Sequence, residues 1–168
     1  MRQLTRILGI MAVVLIIAAA NTWAANTTGT VTVSAAVSAT AKLTLSAAAV
    51  SFADSDPDTT PLITGAPVVS VTAKGKTAAG SNITLTVLAG DDLKSGTDTI
   101  GVANVTWTVA GDGFSAGTMD KSPNPAVSLG SWAGSGNHSG TQTYLLANSW
   151  DYATGNYSMT VTYTLTAP

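Results

Sequence analysis

Cysteine is absent from the 168-residue chain, and charged residues make up only 10% of it. Without cysteine the chain has neither disulfide bonds nor thiolate ligands for a metal ion. Disulfides are not needed at this length, because a domain of about 150 residues buries roughly two-thirds of its unfolded surface. We therefore expect one domain with a single apolar core.

The first 24 residues have the pattern of a secretory signal peptide. Arg2 and Arg6 precede the apolar run ILGIMAVVLIIAAA, and the small residues Thr22 and Ala24 follow it. The run is shorter than the roughly 20 residues that a membrane-spanning helix needs. We predict cleavage before Ala25, so that residues 25–168 form one exported domain, extracellular or on the cell wall or cell surface. An uncleaved membrane anchor is the alternative.

Removal of this segment takes away both arginines, and glutamate does not occur in the chain. Residues 25–168 keep five lysines and nine aspartates, which gives a net charge of −4 (5 − 9). Nucleic-acid binding depends on clusters of Lys and Arg that contact phosphates, so we expect no nucleic-acid partner. An acidic exported domain fits an extracellular or cell-surface setting.

The end of the chain alternates between apolar and hydroxyl-bearing side chains. Tyr157, Met159, Val161, Tyr163 and Leu165 occupy the odd positions, and Ser or Thr occupies each even position from 158 to 166. A period of two predicts a half-buried β-strand with the apolar row facing the core.

Similar segments separated by turn residues extend this prediction to the whole domain. We predict strands at 29–39, 41–46, 48–53, 67–74, 82–90, 102–110, 126–132, 140–147 and 156–166. About eight or nine short strands with regular turns predict an all-β fold, an immunoglobulin-like or pilin-like β-sandwich.

One short motif resembles a hydrolase site. GFSAG at 113–117 matches the G-x-S-x-G pattern, and Asp120 and His138 follow Ser115 in the order Ser, acid, His. That motif requires a helix after the serine, whereas TMDKSPNP is typical of a turn. We predict no catalytic residue and no enzymatic activity, and a secreted serine hydrolase built on Ser115 is the least favoured alternative.

Three aspartates are weak calcium candidates. Asp54, Asp56 and Asp58 have the i, i+2, i+4 spacing of a calcium loop, but Thr59 and Gly65 stand where that loop has its glycine and glutamate. Asx turns explain the stretch equally well. No cofactor is predicted, because the single histidine has no second His, Cys or Glu with which to hold a catalytic zinc.

The C-terminal segment resembles the WxL domain of bacterial surface proteins. The matching residues are Ala153-Thr154-Gly155-Asn156-Tyr157, then Tyr163-Thr164-Leu165 near Pro168, with Trp107-Thr108-Val109 as the earlier W-x-L-like place. Tyr163 stands where the family has Trp, and Val109 where it has Leu. The resemblance implies an exported β-rich domain held on the cell wall. Its candidate contact residues for a cell-wall polymer or another surface protein are Trp107, Val109, Trp150, Tyr163 and Leu165.

The N-terminal segment has a second resemblance. An export signal followed by TTGTVTVSAAVSATAKLTLSAAAVSFADSDP is similar to the start of spore-coat-U-type and chaperone–usher pilin domains, although the cysteine pair typical of them is missing. This resemblance implies self-assembly, in which residues 27–39 of one subunit join a neighbour as an added strand. Val31, Val33, Ala35 and Val37 would fill the neighbour's groove; the alternative is an ordinary first strand of the same domain.

These observations predict a non-enzymatic surface domain, of which a wall-associated binding or structural protein is the preferred form. A fibre or coat subunit that assembles through residues 27–39 is the alternative.

Overall fold

The computed structural model describes residues 29–168, so the predicted signal peptide lies outside the described part of the chain. These residues form eleven β-strands and one short 3-10 helix, Val102–Asn104. Among them, no helix is long and apolar enough to cross a membrane. The strands are β1 (Thr40–Leu45), β2 (Leu62–Thr64), β3 (Val69–Lys76), β4 (Asn82–Ala89), β5 (Leu93–Ser95), β6 (Asp98–Ile100), β7 (Val105–Ala110), β8 (Gly117–Thr118), β9 (Val127–Ala133), β10 (Gly136–Ala147) and β11 (Val161–Thr166).

The strands form two main antiparallel sheets that pack face to face. The first sheet has the order β1-β3-β10-β7-β8, and β2 pairs with the end of β10 beyond β3. The second sheet has the order β11-β4-β9, and β5 and β6 form a separate hairpin. This arrangement confirms the predicted all-β sandwich.

The core lies between the sheets because their central strands alternate strictly. In β3 and β4 every second side chain is buried, and Val71, Ala73, Leu85 and Val87 have no exposed surface. The terminal strand β11 follows the predicted pattern, since its odd residues face inward and its threonines face solvent. Alternation therefore identifies the inner face correctly wherever one side of a sheet meets water.

Several predicted strands differ from the structure. Residues 29–39 form no strand, so the prediction of a first strand there is wrong. The side chains alternate, but within the described chain these residues are paired with no other strand. Residues 48–53 also form no strand, and Ser51 makes only a single bridge to Ala66. Residues 91–101, which lie between two predicted strands, contain the β5–β6 hairpin, in which Gly96 has the positive φ of a tight turn.

One seam between the two sheets is closed by the chain that connects β7 to β8. Its backbone pairs with β9: the Ser115 N–H donates to Leu129 O (2.9 Å), and the Ser131 N–H donates to Gly113 O (3.0 Å). Trp107 anchors the same connection, because its Nε1 donates to Ser115 O (2.9 Å). A Cβ on Gly117 would lie 2.6 Å from the Trp107 ring, so this ring requires glycine beside it.

We predict that Trp107→Ala lowers the free energy of unfolding by about 3–5 kcal/mol, because a buried indole that is 2% exposed leaves a cavity and its bond to Ser115 is lost. Urea titration followed by circular dichroism measures the change. Trp150→Ala is the matched control: Trp150 is 68% exposed, and its loss should cost less than about 1 kcal/mol. Equal losses in the two variants would contradict the described core.

Candidate functional site

The opposite seam of the sandwich, between β1 and β11, is open. β1 is hydrogen-bonded only to β3, and β11 only to β4. The inward rows of these two edge strands are half-exposed, whereas the inward rows of β3 and β4 are buried. The difference arises because, within residues 36–168, no strand pairs with the facing edges of β1 and β11.

This gap forms a groove of about 1300 Å³. Small-molecule sites usually have about 300–1,000 Å³ and enclose their ligand, so the groove is larger than that class of site. One wall consists of Leu45, at the end of β1, and the segment that follows it. The other wall consists of Val161 and Tyr163, in the first half of β11, and the segment that precedes them. The apolar side chains along these walls are Leu45, Val50, Phe52, Tyr157, Met159, Val161 and Tyr163.

The groove runs between two ends that differ in what bounds them. At one end β1 and β11 contact each other, and the groove lining starts at Leu45 and Tyr163 without including Leu43 or Leu165. From there the lining extends to residues 54–57 on one wall and 149–156 on the other. We call this second end, where the two loops lie, the loop end.

Backbone groups of β11 face the groove. The carbonyl of Thr160 accepts a hydrogen bond from the Gly90 N–H (2.9 Å), and Ser158 exchanges two backbone hydrogen bonds with Lys94. The backbone N–H and C=O groups of the even residues therefore point away from the groove. Successive residues of an antiparallel strand point their N–H and C=O groups to opposite sides. The odd residues, which carry the inward apolar side chains, consequently direct their backbone donors and acceptors to the groove side.

The same reasoning applies to β1. The Ser46 N–H donates to Ser70 O (2.9 Å) on the β3 side. Leu43 and Leu45 therefore direct their backbone groups away from β3, to the open seam. Leu45 lines the groove and Leu43 does not, so on this wall β1 offers the backbone groups of its last residue, while β11 offers those of Val161 and Tyr163.

A buried polar network lies at the inner side of the groove. The Tyr163 hydroxyl donates to Gln142 Oε1 (2.7 Å), and the Tyr144 hydroxyl lies 2.7 Å from that of Tyr163. Gln142 has no exposed surface. Burial raises the pKa of both tyrosines above the ordinary value, because an ionised phenolate loses its hydration there.

The loop end of the groove has an acidic rim, which we define as Asp54, Asp56, Asp58 and Trp150. Trp150 is mostly exposed, and its Nε1 donates to Asp58 Oδ1 (3.1 Å). Asp56 Oδ1 accepts from the Asp58 N–H (2.9 Å), which is the Asx-type turn considered as the alternative to a calcium loop. Within residues 29–168, no three metal-ligating side chains, these aspartates included, are grouped so that they could hold a metal ion.

The five contact residues suggested by the WxL resemblance do not form one surface. Trp107 is buried in the core, and Val109 is half-buried in β7. Tyr163 and Leu165 belong to the inward row of β11, while Trp150 lies on the rim.

The residues of the hydrolase motif have separate partners. Ser115 lies in the β7–β8 connection, with no helix after it. Asp120 accepts from Asn124 Nδ2 (2.8 Å), and the His138 ring stacks on Trp132 with centroids 4.6 Å apart. Within the described chain no hydrogen bond joins Ser115, Asp120 and His138.

Sequence reasoning missed the network beneath the groove. Gln142, Tyr144 and Leu146 form the inward row of β10. The sequence feature that could have revealed this network is Gln142, an amide in an otherwise apolar inward row. A buried amide needs a hydrogen-bond partner, which predicts a hydroxyl group nearby.

We predict that the free energy of unfolding falls as the pH rises above about 10, the ordinary tyrosine pKa. The folded pKa is raised, so the unfolded chain loses its phenolic protons first and gains stability relative to the fold. Tyr163→Phe should lower stability by roughly 1–2 kcal/mol at neutral pH, through loss of the bond to Gln142, and make the alkaline decline less steep. Urea titrations between about pH 8 and about pH 11 test this.

The control for this prediction is Tyr157→Phe, whose hydroxyl bonds Ala153 O at an exposed position. An alkaline decline in Tyr163→Phe as steep as in the wild type would contradict the assignment.

When the chain is compared with known proteins, no protein-family model matches it and no curated protein sequence matches it significantly.

Proposed function

We propose that this protein is an exported, non-enzymatic structural subunit that assembles at the cell surface when the N-terminal segment of one copy adds as a strand to the groove of another. The observation that carries the proposal is the open seam between β1 and β11. There, the end of β1 and the edge of β11 direct apolar side chains and backbone groups to one groove. Strand addition uses both features, since main-chain bonds supply affinity and side-chain pockets supply specificity.

The N-terminal segment 27–39 has the chemistry of the missing strand. Its described part, from residue 29, forms no strand, and Val31, Val33 and Val37 are 88%, 90% and 74% exposed. Together with Ala35 they occupy every second position, as the inner row of a strand does. The segment carries no charge, which suits a groove whose walls are largely apolar.

A second copy is the favoured acceptor because of chain connectivity. The segment leads directly into β1 at Thr40, and the last residue of β1, Leu45, lines the groove. To fill its own groove, the segment would have to reverse direction just before Thr40. Residues 34–40, SAAVSAT, contain no Gly, Pro, Asn or Asp, and their serines support a tight turn only weakly.

Association with a cell-wall polymer is the second candidate, and the exposed ring of Trp150 favours it. Exposed aromatic rings contribute large contact areas to interfaces. If wall binding is the function, the protein from residue 25 onward should co-sediment with purified cell wall, and Trp150→Ala should reduce the bound fraction. An equal bound fraction for the wild type and Trp150→Ala would remove the support for this candidate.

Two complementary variants test the assembly. In the donor-defective variant, Val33→Asp and Val37→Asp place charges in the segment; in the acceptor-defective variant, Met159→Lys places a charge in the groove wall. The wild-type protein from residue 25 onward should form oligomers, and each variant alone should remain monomeric. Mixed together they should form a dimer of one copy of each, since one variant can only donate and the other can only accept. Light scattering measures each mass.

Thr160→Lys is the matched control for the groove, because Thr160 is adjacent to Met159 and exposed on the outer side. It should oligomerise like the wild type. Variants that oligomerise normally, or a mixture that stays monomeric while the wild type assembles, would contradict the proposal.

A further inference from the structure

The five lysines of residues 29–168 divide into two groups. Lys94 and Lys121 form ion pairs with Asp91 and Asp92. The hydrogen bond from Lys94 lowers the pKa of the Asp91 carboxyl to about 2. Lys42, Lys74 and Lys76 take part in no ion pair within the described residues.

The three remaining lysines form one surface, which we call the lysine face. Lys42 lies directly opposite Lys74 in the β1–β3 ladder, and Lys76 is two residues further along the same outer side of β3. All three are exposed. Like charges that face each other across a ladder repel, and contact with an anionic surface would relieve this repulsion.

The lysine face and the acidic rim lie at opposite ends of the sandwich. Lys74 pairs with Asn137 near the start of β10. Asn148, just after the end of β10, bonds Ser55 O (2.9 Å) and Thr60 O (3.1 Å), which places residues 54–58 at the far end of that strand. A 12-residue strand is roughly 40 Å long, so the two surfaces cannot neutralise each other within one copy.

Chain connectivity brings these surfaces together between two copies. The donated segment leaves its own domain at Thr40, which pairs with Lys76 and is two residues from Lys42. In the receiving copy, β1 and β11 contact each other at the end of the groove away from the acidic rim, so the segment enters at the loop end. A segment that enters there holds its own lysine face against the rim of the next copy.

We propose that the lysine face of the donating copy docks on the acidic rim of the receiving copy, a contact that rests on the strand-addition function proposed above. Opposite charges meet there, and the exposed Trp150 ring offers a face for a lysine ammonium. Every copy carries both surfaces, so the contact is head-to-tail and gives the assembly one direction. Complementary charge also accelerates the encounter and makes it sensitive to salt.

Single charge reversals in the protein from residue 25 onward test this contact. Asp54→Lys reverses one charge of the rim, and Lys74→Asp reverses one charge of the lysine face. At low salt each should slow assembly by about three- to tenfold, and the double variant should recover to within about twofold of the wild-type rate. High salt should reduce the wild-type rate and remove most of the difference between variants. Light scattering follows the rate, and circular dichroism checks the fold.

Asp112→Lys is the matched control. It changes the net charge by the same amount as Asp54→Lys. Asp112 lies in the β7–β8 connection, near the start of β10, whereas the acidic rim lies beyond the end of β10. Because either change makes the protein less negative, general repulsion between copies predicts faster assembly for both. The proposed contact instead predicts slower assembly for Asp54→Lys alone.

The outcomes separate this contact from the underlying function. Wild-type rates for Asp54→Lys and Lys74→Asp at low salt, or slowing that the double variant does not relieve, would overturn the lysine-to-rim contact and leave strand addition standing. A wild-type protein that stays monomeric at every salt concentration would overturn both.

Discussion

The open edge of β11 is the constraint on which the rest of this structure depends. Natural proteins usually protect an exposed strand edge with charges, proline, a bulge or a covering loop. At the closed seam, the β7–β8 connection covers β9 in this way. Residues 156–166 contain neither a charged residue nor a proline, and within residues 36–168 no strand is hydrogen-bonded to the groove side of β11. An unprotected, neutral edge beside an apolar groove is aggregation-prone unless a specific strand occupies it.

Alternation predicted the fold wherever a strand has both a core side and a solvent side. It identified β4, β9, β10 and β11 to within a few residues, except that β11 begins at Val161 instead of near residue 156. It failed at 29–39 although the pattern there is equally regular. A period of two reports which side chains a segment can bury, and it does not report which edge will pair with it. Three-residue strands such as β5 and β6 are too short for any period to identify.

The groove itself was beyond prediction from local pattern because it arises from a missing neighbour. The inward row of β11 was predicted correctly, yet its half-exposure depends on β1, more than a hundred residues earlier in the chain. The tryptophans show the same limit. Trp107 occupies an inward position of an alternating strand and is buried, whereas Trp150 follows β10 in a loop and is exposed. Only the strand context distinguishes the two indoles.

The energetics of filling the groove explain why both partners need their observed features. Ordering the N-terminal segment costs backbone entropy. Burial of Val31, Val33 and Val37 offsets part of that cost. The remainder must come from the receiving copy, through new main-chain bonds and through burial of its half-exposed rows on β1 and β11.

The two interactions proposed between copies therefore act on different steps. Burial in the groove is short-ranged and requires the segment to be in register, so it governs how long two copies stay together. Charge attraction between the lysine face and the acidic rim acts over about a Debye length, before any register is established. Charge placed at the two ends of the sandwich can then orient the encounter, while a charge-free segment enters an apolar groove without a desolvation penalty for buried charge.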